Sequence, residues 1–308
     1  MYGGELSSRS SKVRSRTAPL PPFNPEAGAS PFPGYRLIRL RGRGGFATVW
    51  EATGPDGQLL ALKFMSSHQG QSTIREVRAL RAFTRFSHPH LLPIHQVWSI
   101  PGQIVIAMEL ADATLLDLML LYTEDFNRPI EPDRLIRYFT QAASALDFLN
   151  ARRHTWDGRT VGFQHGDIKP NNILLVGDVA KLADYGLATP TTGPKTPCHR
   201  HGTAEYVAPE VFQGFASDTG DQFSLAVTYH VLRAGRFPFP PPPPMNELTR
   251  GYVRPAPDLA HVSAAERAVL ARALSPIPQT RFATCTAFVD ALAAAVEVKP
   301  GSQSTRVS

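Results

Sequence analysis

The sequence of 308 residues holds only two cysteines, Cys198 and Cys285, too few for a disulfide framework or a zinc-binding set. A reducing, cytoplasmic compartment is the expectation that follows. No uncharged apolar run reaches the roughly 18 residues that a membrane-crossing helix needs. The best candidate, Ile104 to Leu121, is broken by Glu109, Asp112 and Asp117, so no transmembrane segment is expected. Met1 to Thr17 is polar, basic and serine-rich and lacks the apolar stretch of a secretory signal. Internal repeats are absent too. What is present is ordinary for a globular chain: 43% hydrophobic residues, enough to bury a core, which excludes a wholly disordered protein.

The net charge is +6, which permits phosphate-rich partners without identifying one. In the first 17 residues Arg9, Lys12, Arg14 and Arg16 face only Glu5. Nothing aromatic is interleaved, so this run reads as a solvated tail and no nucleic-acid partner is expected. Residues 1–34 contain six of the 28 prolines and no periodicity, and they read as a disordered leader.

Structure is expected from Tyr35. Tyr35–Leu40, Val49–Ala52 and Leu59–Met65 read as strands, Ser72–Phe86 as a helix, and Leu91–Trp98 and Gln103–Met108 as further strands. Thereafter helices dominate: Thr114–Tyr122, Pro132–Asn150, Asp221–Ala234, Ser263–Leu274 and Thr284–Val296. Two short strands, Ile173–Val176 and Val179–Leu182, flank a Gly177-Asp178 turn. Phe237–Pro244 holds six prolines and must be extended, most simply as a rigid surface loop. A small sheet-rich lobe followed by a larger helical one is the outline.

Gly42-Arg43-Gly44-Gly45-Phe46-Ala47-Thr48-Val49 lies between two predicted strands, where glycines let backbone amides approach a phosphate. A glycine-rich hairpin turn explains it almost as well. A Walker loop is excluded, because no Gly-Lys-Ser/Thr follows and the next element is a strand. Lys63 sits on an apolar strand and could pair with Glu76 or snorkel outward. Thr73-Ile74-Arg75-Glu76 also fits a helix capping box. The decisive stretch is His165-Gly166-Asp167-Ile168-Lys169-Pro170-Asn171-Asn172, with Asp184-Tyr185-Gly186 following. Here one carboxylate can accept a hydroxyl proton, the lysine can offset phosphate charge, and the amide with the second aspartate can hold magnesium. A solvated polar loop needs no second aspartate set after a pair of hydrophobic strands.

In this order the segments resemble the signature set of eukaryotic-type serine/threonine protein kinases, most closely soluble bacterial members. Gly202-Thr203-Ala204-Glu205-Tyr206-Val207-Ala208-Pro209-Glu210 resembles the end of an activation segment. Asp221-Gln222-Phe223-Ser224-Leu225 resembles the start of the large lobe's central helix, and Arg281 stands where the family pairs an arginine with Glu210. The resemblance implies an α+β, bilobal fold over 35–298, with an N-lobe of 35–111, a C-lobe of 112–298 and a flexible tail of 299–308.

It also implies roles. Gly42, Gly44, Gly45, Phe46 and Ala47 would cover the phosphates of ATP, and Lys63 would contact them while pairing with Glu76. Val49, Ala61 and Leu174 would sandwich adenine, with Met108 as gatekeeper and Glu109 to Ala111 as hinge. Asp167 would orient and deprotonate the acceptor hydroxyl, Lys169 would steady the γ-phosphoryl, and Asn172 and Asp184 would ligate Mg2+. Lys169 and Thr203 point to serine or threonine of a protein substrate as acceptor.

Three positions depart from the family pattern. Ala47 replaces the third loop glycine, Arg41 replaces an apolar residue over adenine, and Gly166 replaces the arginine before Asp167. Gly166 cannot bind a phosphate through a side chain, so basal activity is expected not to need a phosphorylated activation segment. That segment still offers Thr189, Thr191, Thr192 and Thr196 beside Lys195, His199, Arg200 and His201. Simple solvation explains the basic cluster equally well. Two rivals remain. One is a pseudokinase scaffold; the other is a small-molecule phosphotransferase of the aminoglycoside or choline kinase type, which shares His-Gly-Asp but lacks the Ala-Pro-Glu segment and usually the Lys-Pro.

Overall fold

The computed structural model describes residues 23–45, 47–67, 71–199, 202–244, 247 and 251–297, with the side chains of 71–76 and 297 outside that set. Five strands form the first sheet: β1 (Arg36–Arg43), β2 (Ala47–Thr53), β3 (Leu59–Ser66), β4 (Ile94–Ile100) and β5 (Gln103–Met108). Their order is β1-β2-β3-β5-β4, antiparallel throughout. One helix, α1 (Gln71–Phe83), separates β3 from β4. It ends before the predicted Phe86, and β4 begins only after Pro93, whose missing N–H cannot extend the ladder. α1 starts two residues ahead of Thr73, so the capping box that Thr73 and Glu76 would form is not at the helix start.

β3 reads Leu-Leu-Ala-Leu-Lys-Phe-Met-Ser, apolar on both faces of the pleat. One face, with Ala61 and Lys63, looks into the interlobe cleft. The other carries Leu60, Leu62 and Phe64, all buried, and something must cover it. The cover comes from residues expected to belong to a disordered leader. Phe23 stacks on Phe64 at 5.7 Å, and Phe32 stacks on Trp98 at 4.1 Å. Gly28 and Ala29 exchange backbone hydrogen bonds with Leu37. The leader expectation is therefore corrected for residues 23–34, which pack on the sheet because its outer face is too apolar to leave wet. The remainder, 1–22, lies outside the described residues, as do the tail residues 299–308.

The second part of the chain opens with β6 (Ala113–Thr114), α2 (Leu115–Leu120) and α3 (Pro132–Asn150). Pro132 sits in the first turn of α3, where its absent N–H costs nothing. A hairpin outside the predicted elements follows: β7 (His154–Trp156) and β8 (Arg159–Gln164), turning at Asp157-Gly158 with both φ angles positive. β9 (Ile173–Val176) and β10 (Val179–Leu182) pair as expected, and β6 joins them. Then come β11 (Thr189–Thr191), β12 (Thr196–Pro197), α4 (Pro209–Phe212), β13 (Phe215–Ala216), α5 (Gly220–Ala234), α6 (Ala264–Ala273) and α7 (Cys285–Glu297). α5 is buried from Gly220 to Leu232, so it forms the axis around which α3, α6 and α7 pack. Phe139 of α3 meets Tyr229 of α5 edge-on at 5.3 Å. Among the described residues no helix is long and apolar enough to cross a membrane.

Candidate active site

A cavity of about 460 Å3 lies between the sheet and the helical part. Val49 and Ala61 line it from the sheet, Leu174 from β9, and Met108, Glu109 and Ala111 from the connecting strand end. Register explains the first group. Val49 pairs with Lys63 and Ala61 with Met108, so one pleat face brings these side chains to the cleft. Lys63, Asn172 and Asp184 line the same cavity. The expected site residues Gly44, Gly45 and Ala47 frame the loop at its edge, where Gly44 N–H donates to Ala47 O at 2.8 Å. Phe46 lies outside the described residues.

Lys63 Nζ is 2.9 Å from Asp184 Oδ2, with the lysine side chain only 14% exposed. The expected Lys63–Glu76 pair falls on a side chain outside the described residues. Asp184 adopts a left-handed backbone at φ 69°, a conformation that a short polar side chain tolerates and that turns its carboxylate into the cleft. The next residue, Tyr185, goes the other way. It is 2% exposed, stacks on Phe83 of α1 at 4.4 Å, and donates its hydroxyl to Leu182 O. Burial pushes its phenol pKa up, so it stays neutral.

Asp167 is the hub of the second cluster. Its Oδ1 accepts from Thr203 Oγ1 at 2.8 Å and from Thr203 N at 3.1 Å. Its Oδ2 lies 2.8 Å from Lys169 Nζ and accepts from Asn172 Nδ2 at 2.9 Å. Burial pushes the Asp167 pKa up, but the hydrogen bond and charge of Lys169, the Thr203 hydroxyl and His165 more than offset it. The carboxyl is held below its usual range. Lys169 Nζ also donates to Thr203 Oγ1 at 2.8 Å, closing a ring of three side chains.

The loop carrying Asp167 is pinned from beneath. Asp221, at the start of α5, accepts from His165 N at 2.8 Å and Gly166 N at 3.0 Å. His165 is fully buried and its Nε2 lies 2.9 Å from Ala183 O, tying this loop to the one that holds Asp184. Gly166 has φ 78°, where an arginine would be strained. A Cβ on Gly202 would come within 2.6 Å of Gly166 O, so the glycine at 202 lets the two segments close up. Arg281 forks onto Glu210 with two bonds of 2.8 Å, as the sequence led one to expect.

Arg41 lines the cavity with Val49 and Ala61, and its guanidinium is tied to neighbouring groups. Its Nη1 is 3.2 Å from Glu51, and its Nη2 donates to Asp112 O at 3.0 Å, clasping β1 to the end of the hinge. One further residue went unread in the sequence: Arg254, whose Nη2 donates to Ala204 O and Val207 O. Its neighbours, Val253 and Pro255, gave no signal.

Residues 35–291 match the family model described as a protein kinase domain. The chain belongs to the protein kinase family. It is 32% identical over 266 residues to serine/threonine-protein kinase PknE of Mycobacterium tuberculosis, covering 82% of this chain and 44% of that protein. It is 33% identical over 260 residues to CBL-interacting protein kinase 4 of Oryza sativa subsp. japonica, covering 81% and 55%. This kinase chain thus spans about half the length of the curated relatives it matches. Among solved structures, the Mycobacterium tuberculosis PknI kinase domain matches with a TM-score of 0.68 and 27% identity, covering 89% of this chain and 99% of that one. The bilobal α+β kinase fold is that of the family.

Proposed function

We propose that this kinase domain transfers the γ-phosphoryl group of ATP to serine or threonine hydroxyls of proteins. The observation that carries the reading is that Asn172 lines the cleft beside Lys63 and Asp184 and also donates to Asp167, joining that pair to the cluster of Asp167, Lys169 and Thr203.

The adenine would lie between Val49, Ala61 and Leu174, with the glycine loop over the phosphates and Lys63 against their charge. Asn172 fits a metal ligand, because its Nδ2 is committed to Asp167 and its Oδ1 remains as a donor. Asp184, with a third of its side chain exposed, offers a carboxylate on the same side. Bound there with phosphate oxygens, Mg2+ would offset negative charge. Asp167 accepts the hydroxyl of the incoming serine or threonine and aims it in line with the bond to be broken. A carboxylate held below its usual range is a weak base. The loose transition state of phosphoryl transfer asks it chiefly to orient the hydroxyl. Lys169 places a positive charge where the transferring group passes. The two free cysteines, one buried, support a reducing cytoplasmic setting.

The test is to incubate the protein with γ-labelled ATP, magnesium and a generic protein acceptor, then identify the labelled residue. Label on protein serine or threonine supports the reading. Label only on small amines or alcohols, or ATP binding without transfer, contradicts it.

A further inference from the structure

Arg254 lies between the proline run and α6, in a stretch without regular structure. Its side chain is surrounded: the residue is 6% exposed, and its guanidinium carbon sits 5.1 Å from the Phe212 ring centre, 5.8 Å from Phe223 and 4.8 Å from Phe239. Among the described residues no carboxylate forms an ion pair with it. Burial pulls its pKa down to about 10, which still leaves it charged at neutral pH. A methionine or leucine would fill the same aromatic box without the cost of desolvating a cation. The charge must therefore do something that packing alone does not.

What it does is gather carbonyls. Nη2 donates to Ala204 O at 2.7 Å and to Val207 O at 3.0 Å, and Nη1 donates to Glu205 O at 3.4 Å. All three acceptors belong to the short segment that begins next to Thr203. Thr203 in turn holds Asp167 through its amide and its hydroxyl, and Tyr206 N–H and Val207 N–H both donate to Thr203 O. The segment thus hangs between two anchors, Asp167 at one end and Arg254 behind. With three carbonyls turned inward, Gly202 to Glu205 stays half-buried at the surface beside Asp167. An acceptor hydroxyl brought to Asp167 would arrive next to Thr203, where that strip begins.

We propose that Arg254 is a positioning residue for the protein acceptor: by fixing the Ala204–Val207 backbone it shapes the surface on which the acceptor chain lies, without touching the nucleotide. This rests on the phosphoryl-transfer reading above. A rigid strip lowers the ordering cost of docking an extended chain, and a fork of planar donors is what can bind neighbouring carbonyls at once. A lysine in its place keeps the charge but loses the fork.

The experiment compares wild type, Arg254→Met and Arg254→Lys, varying a generic protein acceptor at saturating ATP and ATP at saturating acceptor. ATP dissociation constants and melting temperatures are measured alongside. The expected result is an acceptor KM raised about tenfold or more in Arg254→Met, with ATP affinity within about twofold of wild type. Arg254→Lys should fall between, and it carries the test if the methionine variant does not fold. An unchanged acceptor KM in the folded variants overturns the proposal. So does a loss of acceptor and ATP affinity in step with lost stability, which marks Arg254 as a packing residue only. No transfer by wild type at all defeats the phosphoryl-transfer reading and the inference with it. Transfer by wild type without the split defeats the inference alone.

Discussion

Thr203 donates its hydroxyl to Asp167 Oδ1 at 2.8 Å, from a residue that lies 36 positions further along the chain. That bond links the loop carrying the proposed base to the segment proposed to lie beside the acceptor, and it helps to keep the carboxylate ionised.

Thr203→Val removes the hydroxyl but keeps the shape. Asp167 is held below the usual carboxylate range, so its working, ionised form is present at neutral pH and is lost as pH falls through the lowered value. Losing one of the contributions that lower it raises that value. The acid limb of kcat/KM should therefore move to higher pH, with turnover at neutral pH reduced about tenfold or more. A pH profile measured over the acid range checks this; an unmoved acid limb contradicts it.

Asp184→Asn removes the carboxylate charge proposed for the metal and the partner of Lys63. Turnover should fall to below about a tenth of wild type while the fold is kept, since the residue faces the cleft. Turnover at varied magnesium, with circular dichroism as the control for folding, measures both. Retention of more than that fraction speaks against the metal role.

Deleting residues 1–34 removes Phe23 and Phe32 from the apolar outer face of the first sheet. Burying an aromatic or large aliphatic side chain contributes about 1.5–3 kcal/mol, and these two are covered only in part. A fall in melting temperature of about 5–10 °C is expected, with Phe32→Ala giving a portion of it. An unchanged melting temperature would show that this cover contributes nothing.

The activation segment is tied down by its own backbone. β11 pairs with β8, β12 pairs with β13, and Lys195 sits over the Phe215 ring at 4.1 Å. Thr191 is 2% exposed and out of reach of a modifying enzyme. Replacing Thr189, Thr191, Thr192 and Thr196 by alanine should leave turnover within about threefold after phosphatase treatment, if the protein stays folded. Thr189→Ala, Thr192→Ala and Thr196→Ala without the buried Thr191 control for stability. A hundredfold fall in that folded triple variant would mean that some cation has taken over phosphate binding despite Gly166.

Legibility in the sequence followed the range of the interactions. The sheet strands, α3, α5 and the Asp167 and Asp184 loops could be read because periodicity and fixed spacing are local properties. Glu210 with Arg281 could be read through family order, although 71 residues separate them. The β7–β8 hairpin has a weak local signal, Asp157-Gly158 between two runs too short to show a period. The packing of residues 23–34 had none in that segment itself. Its cause is the two-faced apolar pattern of β3, which shows only that something must cover it. Arg254 was invisible for a related reason: its acceptors are backbone carbonyls, which carry no residue identity.

Asp167→Asn gives the most direct test of the proposed chemistry. The variant keeps size and shape but loses the negative charge proposed to orient the acceptor hydroxyl. ATP affinity by calorimetry and label transfer to a protein acceptor should be measured on the same preparation. The expected result is ATP affinity within about threefold of wild type and transfer reduced at least about a hundredfold. Near-normal transfer, or ATP affinity lost as completely as transfer, would contradict Asp167 as the group that receives the acceptor.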